Sequence, residues 1–526
     1  MKAAVTAVAF SLCAVLPAAP ACADEREDLE KLRQTTLTLI ELLVEEGVLT
    51  KHKAELLMRE ADKRAAQAMA GKAPQAAAAD KDKPGASTTV RVPYVPEVVK
   101  NEMREQIKQE VLAQAKAERW GDPGTLPEWL DRIKWEGDIR LRAAWDIFDK
   151  NNAPVTVYPQ DSAGNFSINL PSTTDDRERL RVQARLGMLA RVTDGVTAGF
   201  RITTGNTNEP VSTNQTLGAY GNKYQLVLDR AYLRADPYEW LTLSGGRMPN
   251  PWLSTDLVWD IDVNFDGVAF TLQPRFNPAT SAFLTAGVFP LQESALSSAD
   301  KWLYGGQVGL EWLGTRQRAK IGAAIYDFHN IEGRPQAAGS FGAPDYGFSA
   351  PQFRQRGNSL INIADPASGT VLFGLASKFR ELNVTGVWDI ASYDPVHVIL
   401  SGDYVKNLAF DRNEIASRAG FPAAFAPEKK NLGYQARLTV GMPQLSRRYD
   451  WQLFGGYRYL GADAVVDAFT DSDFHAGGTN ARGYFLGAGY GIATNTWLAL
   501  RWMSSNEVSG PPLAVDTLFL DFNARF

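Results

Sequence analysis

The chain of 526 residues holds only two cysteines, Cys13 and Cys22, and four histidines. Past its first two dozen residues it also lacks any apolar run approaching the roughly 20 residues of a membrane-spanning helix. Each shortage removes a class of function. The start, MKAAVTAVAFSLCAVLPAAPACADE, has Lys2, an apolar stretch from Ala3 to Leu16 and the small-residue site Ala21-Cys22-Ala23, the layout of a secretory signal cleaved after Ala23. Both cysteines leave with it, so no disulfide and no cysteine-held metal is expected in the mature chain. Lipid modification of Cys22 is the alternative, which Ala19-Pro20-Ala21 suits poorly. His52, His329, His397 and His475 are scattered, with neither a His-Glu-x-x-His motif nor a Gly-x-Ser-x-Gly elbow. His397 and Ser401 share a strand face but lie about 13 Å apart along it, too far for a nucleophile and its base. No metal, cofactor, catalytic residue or nucleic-acid partner is expected, and the chain is read as a non-enzyme.

The mean hydropathy is slightly negative. Taken alone it suggests a soluble protein, but a transmembrane barrel, apolar outside and polar inside, averages to the same value. Patterning separates the two. Residues 179–195 read RLRVQARLGMLARVTDG, with Arg179, Arg181, Gln183, Arg185 and Arg191 on one face. Leu180, Val182, Ala184, Leu186, Met188 and Val192 occupy the other. This period of two begins at Trp135 and persists to the C-terminus. Trp135, Ile139, Leu141 and Ile147 alternate with Asp138, Arg140, Arg142 and Asp146, and Thr193-Asp194-Gly195 makes a tight turn into VTAGFRITTG. Further strands fit near 224–235, 240–248, 264–273, 281–289, 302–312, 317–328, 370–389, 396–406, 431–441, 450–460, 483–492, 497–504 and 513–526. The total is about sixteen, an even number, as bacterial barrels have.

Connections sort by length. Those after even strands are short, such as Gly314-Thr315 and Ala493-Thr494-Asn495, while those after odd strands are long, with 148–176 and 329–369 the longest. Short turns on one rim and long loops on the other describe an outer-membrane barrel. Aromatics near strand ends (Trp240, Trp302, Tyr304, Trp312, Trp451, Tyr457, Tyr484 and Trp497 among them) suit the membrane interfaces. The end, LFLDFNARF, alternates to a terminal Phe526, read as an assembly signal. The arginines at 179, 181 and 185 then face a water-filled lumen, because one on the lipid side at the bilayer midplane would cost about 2–4 kcal/mol. Asp229 falls on the lipid side of this register and would need a rim position.

The expected organisation is a signal peptide over 1–23, a helical segment over 24–67, a linker over 68–95, an amphipathic helix with its connector over 96–134, and the barrel over 135–526. Leu29, Leu32, Thr36, Leu39 and Leu43 follow the three-four spacing of a short coiled coil, or of a helical hairpin packing on itself. Helix is expected only in this first quarter.

Arg91-Val92-Pro93-Tyr94-Val95-Pro96-Glu97, Gly137-Asp138-Ile139-Arg140-Leu141-Arg142 and Leu228-Asp229-Arg230-Ala231-Tyr232-Leu233-Arg234 carry a resemblance, as does Tyr457-Arg458-Tyr459 followed by TDSDFHAGGTNARGYFLGAGYG. Together they resemble the bacterial family of outer-membrane porins with an N-terminal coiled-coil segment, from about residue 91 onward. The resemblance implies a Gram-negative outer-membrane channel, without catalytic residues to carry over. In general porins of sixteen strands the loop after the fifth strand folds inward and narrows the pore. The matching stretch, MPNPWLSTDLVWDIDVN, holds Asp256, Asp260 and Asp262. Facing them would be the lumenal Arg140, Arg142, Arg179, Arg181, Arg185, Arg201 and Arg230, and opposed charge rows of this kind set selectivity. The excess of lumenal bases predicts weak anion preference. Thr470-Asp471-Ser472-Asp473-Phe474-His475 has alternating oxygens that could suit calcium, but it lacks the glycine and distal glutamate of an EF-hand and reads better as a hydrogen-bonded loop.

The first reading is a passive diffusion porin, trimeric by analogy. It would meet outer-membrane lipid, lipopolysaccharide and the barrel assembly machinery, and its N-terminal helices would reach the periplasm or cell wall. A substrate-selective channel for phosphate, other anions or saccharides is the second reading. A tether or adhesin acting through the helices or the loops 329–369 and 461–482 is the third.

Overall fold

The computed structural model describes residues 132–295, 298–340 and 347–526. The signal segment, the helical and coiled-coil segments and the linker expected ahead of the barrel lie outside these residues. Sixteen antiparallel strands build the wall: β1 (Ile133–Phe148), β2 (Arg177–Thr193), β3 (Val196–Thr204), β4 (Leu226–Tyr238), β5 (Leu241–Pro249), β6 (Asn264–Leu272), β7 (Thr280–Gln292) and β8 (Lys301–Leu313). They continue as β9 (Gln317–His329), β10 (Phe379–Tyr393), β11 (Val396–Asn407), β12 (Leu432–Gly441), β13 (Trp451–Leu460), β14 (Ala481–Ala493), β15 (Thr496–Glu507) and β16 (Ala514–Arg525). Each strand pairs with the next, and β16 returns to β1 from Arg525↔Asp138 to Val515↔Phe148, which closes the ring. Closure leaves no strand edge unpaired, the condition for a sheet in lipid. Phe526 completes the seam. Its backbone exchanges two 2.9 Å hydrogen bonds with Gly137, and its ring lies where a side chain at 137 would project.

The alternation read from the sequence is physical. Leu180 is 61% exposed on the outer face, whereas Gln183 is 2% exposed on the inner one. Ile139, Leu141, Leu186, Leu498, Leu500, Leu520 and Phe522 also point outward. Aromatic rings cluster on the same face, with Tyr238 stacked on Trp240 at 5.2 Å and Tyr434 on Tyr459 at 5.3 Å.

Three expectations need correction. Asp229 does not face outward, because the β3–β4 register shifts between Arg201↔Arg230 and Ile202↔Leu228. This bulge leaves Asp229 as the extra residue and turns both Asp229 and Arg230 inward. The strand placed at 370–389 starts only at Phe379. Before it, Phe373–Leu375 pairs with Leu360–Asn362 in a separate small sheet within the loop. Nor is helix restricted to the first quarter: α1 (Arg412–Ala419) sits in the loop after β11. The Asp411 side chain accepts from the Asn413 and Glu414 amides, and Gly420 ends the helix in the left-handed region at φ 72°. Eight residues are too few to show helical periodicity, but the caps were legible.

Most loops after even strands are tight, for example Asp194-Gly195 and Thr494-Asn495, although 442–450 is longer; the long loops all follow odd strands and span 149–176, 205–225, 250–263, 330–378, 408–431 and 461–480, while 508–513 is short. Several of the long loops fold back into the barrel mouth.

Candidate functional site: a charged lumen closed by inward loops

The loop 250–263 enters the barrel and is fixed on two sides. On one side Gln307 of β8 accepts from the Leu253 amide and donates to its carbonyl, both at 2.8 Å. Asp403 of β11 accepts from the Thr255 hydroxyl at 2.6 Å. Trp252 and Trp259 pack among Phe265, Phe289, Tyr326 and Phe328, giving the loop a buried aromatic root. On the other side its acids meet arginines. Asp256 Oδ1 lies 2.9 Å from Arg458 Nη2, and Asp262 Oδ1 lies 3.1 Å from Arg185 Nη1. Asp260 meets no arginine among the described residues. Its carboxylate accepts from the Asp262 and Ser472 amides, each at 2.9 Å, tying the loop to the segment 461–480.

That segment, one of the long loops that the tether reading would use, lies folded into the mouth with Asp463, Thr470, His475 and Thr479 fully buried. The cause is polar: Asn358 donates to the Ala462 and Val465 carbonyls, Ser359 to Asp463, and Gln355 to the Asp467 and Thr470 carbonyls. The loops 250–263, 330–378 and 461–480 thus interlock. Burial pushes the Asp463 carboxyl up to about 6 and that of Asp467 to about 7. Asp471 and Asp473 are committed to arginines and form part of a hydrogen-bonded loop. His475 is held near 4, chiefly by burial, with Arg356 adding to the effect. It contacts the Ser505 hydroxyl at 2.8 Å and Glu507 at 3.1 Å. The serine is 2% exposed and also donates to the Val515 carbonyl, so this trio latches the loop to the wall and reaches no substrate.

The predicted arginines form one continuous wall over β1 to β4. Arg142 is buried, with Nε 2.7 Å from Asp521 and Nη1 3.0 Å from Asp473. Arg179 pairs with Asp146, Arg201 with Asp229, and Arg185 with Asp138 at 2.9 Å. Among the described residues Arg140 and Arg230 find only amides, Asn214 at 2.8 Å and Asn264 at 2.7 Å. Arg181, directly across from Arg142, makes no ion pair or side-chain hydrogen bond among the described residues. The wall continues through Arg437, Arg458 and Arg501, which lie outside the set of pore-lining arginines expected from the sequence. Arg458 reaches Asp471 at 2.7 Å, and Arg501 pairs with Asp473. Their signal was available, since each alternates with outward apolar residues, as in Tyr457-Arg458-Tyr459 and Leu500-Arg501-Trp502.

A closed barrel of sixteen strands with charge inside and hydrocarbon side chains outside defines an outer-membrane channel, not an enzyme. The chain belongs to the family described as "Putative porin", whose model matches residues 33–526. No curated protein matches it. Similar solved structures include OmpF of Salmonella typhi in complex with daunomycin, at 10% identity over 75% of this chain and 97% of that chain, with a TM-score of 0.41. OprB of Pseudomonas putida matches at 12% identity, 77% and 96% coverage and a TM-score of 0.44. The outer-membrane channel DcaP of Acinetobacter baumannii matches at 13% identity, 75% and 97% coverage and a TM-score of 0.38.

Proposed function

We propose that the protein is a passive diffusion porin for small hydrophilic solutes and ions, with weak anion preference. The loop 250–263 acts as its constriction. The observation that carries this reading is the inward loop whose Asp256 and Asp262 meet the arginine wall inside a closed barrel. Preference for anions follows from the residue balance. Asp256, Asp262, Asp471 and Asp473 are each paired with arginine and Asp260 is held by two backbone amides, whereas four lumen-facing arginines, Arg140, Arg181, Arg230 and Arg437, have no carboxylate partner among the described residues and outnumber the one unpaired loop acid. Unbalanced charge along a pore attracts the opposite ion.

The working form is a homotrimer in the outer membrane, in contact with lipid and lipopolysaccharide. Its N-terminal region is periplasmic, and Phe526 is presented to the assembly machinery. The test is single-channel recording of the purified mature protein in a planar bilayer. A steady ohmic conductance in groups of three steps, with a reversal potential favouring chloride, is expected. Clear cation preference refutes the charge argument, and absence of conductance refutes the porin reading.

A further inference from the structure

One cavity of the mouth, about 480 Å³ in volume, is bounded by Arg177, Arg179 and Arg181 of β2, by Arg356 of the loop 330–378, and by Asp473. Arginines two apart on a strand present their side chains about 7 Å apart on one face. Among the described residues the buried Nε groups of Arg179, Arg181 and Arg356 have no hydrogen-bond partner; Arg356, 1% exposed, already spends Nη1 on Glu507 and Nη2 on the His475 carbonyl, whereas Arg181 has no partner at all. A buried guanidinium N–H left unpaired is costly, so such atoms call for a partner.

The acids around this cavity do not supply it. Asp146 binds Arg179 through other atoms, and Asp176 binds Lys150 and the Phe148 amide. Asp175 binds Ser172, and Glu209 binds Asn206. Asp473 is directed to Arg142 and Arg501.

Asp473 shows what this wall recognises. A loop carboxylate, carried in from 461–480, sits between two wall guanidiniums and accepts from Arg142 Nη1 at 3.0 and 3.1 Å. Arg181 lies directly across the β1–β2 ladder from Arg142, with its own donors unused. The next position along the wall therefore offers the same donors, and among the described residues none of the carboxylates lining the cavity bonds to Arg181.

We infer that the cavity bounded by Arg179, Arg181 and Arg356 binds one small oxyanion, a carboxylate or a phosphate, as a saturable station inside the channel. The inference rests on the reading of the barrel as a solute channel, because the ion must reach the cavity from the mouth. Guanidinium forks take either oxyanion through paired N–H donors, and chloride offers no matching geometry.

The test is calorimetric titration of the full-length protein in detergent with sodium phosphate and, separately, with sodium acetate and sodium succinate, at fixed chloride. Bilayer conductance is recorded on the same preparations. Saturable binding is expected, weakened about tenfold or more in Arg181→Gln, the loss expected for one charged hydrogen-bonding partner. The ratio of phosphate to carboxylate affinity identifies which oxyanion the cavity prefers. If Arg181→Gln does not fold, Arg179→Gln reads the same loss. No saturable binding to the wild type, or equal affinity in Arg181→Gln, overturns the site. A protein that conducts without binding refutes the site alone, and one that binds without conducting keeps the site and refutes the porin reading.

Discussion

Arg458 is the residue whose loss should most change the pore. It lies on β13, about 2% exposed, and its guanidinium holds Asp256 at 2.9 Å, Asp471 at 2.7 Å and the Gln435 amide oxygen at 2.5 Å. It therefore clamps two separate loops, 250–263 and 461–480, to one wall strand. Replacing it with methionine keeps much of the volume but removes the charge. Asp471, 9% exposed by its side chain, is then a buried carboxylate without its main partner, while Asp256, at 38%, can rehydrate. Breaking a buried pair costs about 3–5 kcal/mol, and the openness of Asp256 argues for the lower end. About 3 kcal/mol shifts the ratio of docked to released loop by a factor of about 100 or more. The wall itself keeps its ladder, because β13 bonds to β12 and β14 through the backbone. The Arg458→Met barrel should therefore assemble, and its single-channel record should show higher mean conductance with added open-channel noise. A variant that assembles and conducts as the wild type does would refute the view that this clamp sets the constriction.

Other consequences can be checked on the folded barrel. Gly246 and Gly267 face each other across β5 and β6 with φ of 110° and 143°, and a Cβ at 267 would sit 2.2 Å from the Val288 carbonyl oxygen. Gly267→Ala should lower stability by about 1–2 kcal/mol or more, seen as a lower unfolding temperature on heated gels. Burial raises the Asp467 and Asp463 carboxyls to about 7 and about 6, so the folded chain holds protons that the unfolded chain releases above about pH 4. The contribution of these groups to stability is full below that pH, falls as pH rises towards 7, and is flat beyond. Proteolysis of the loop 461–480 should be slower at pH 5.5 than at pH 8, with the difference reduced in Asp467→Asn; an unaltered pH dependence would contradict this. Truncation of Phe526 removes both backbone bonds to Gly137 and the ring that covers it. Pulse-chase measurement of the heat-modifiable form should then show slower assembly, and an unchanged rate would exclude a role for the residue as assembly signal.

The wall was legible because a membrane imposes a rule on every strand separately. An outward arginine or an inward run of leucines would each be penalised locally, so alternation alone indicates which residues face in. Asp229 escaped this logic since a bulge changes parity without any sign in the local pattern; only its pairing with Arg201 shows why it turns inward. The loops escaped for a different reason. Asn358, Ser359 and Gln355 hold 461–480 through bonds that span a hundred residues or so of chain, and such contacts leave no periodicity. The acidic loop after β5 could be placed by topology, but its partners could not: Asp262 finds the expected Arg185, Asp256 finds Arg458, and Asp260 binds loop amides.

Counting charges from sequence overstates what a passing ion would feel. Arg142, Arg179, Arg185 and Arg201 are each neutralised by a carboxylate within the wall or its loops, so their fields fall off as dipoles. Among the described residues what remains is Arg140, Arg181, Arg230 and Arg437 in the lumen, set against Asp260 of the loop. A single charge about 4 Å from an ion in water-like surroundings contributes on the order of 1 kcal/mol, and neighbours farther than about 10 Å are screened at 0.1 M salt. The unpaired arginines therefore act nearly one at a time, worth about a fivefold bias for an anion at each step rather than a product over all of them. Weak selectivity for simple ions and tight recognition of a forked oxyanion are then compatible in one wall: the first depends on residual charge spread along the pore, the second on donors left unpaired at one place.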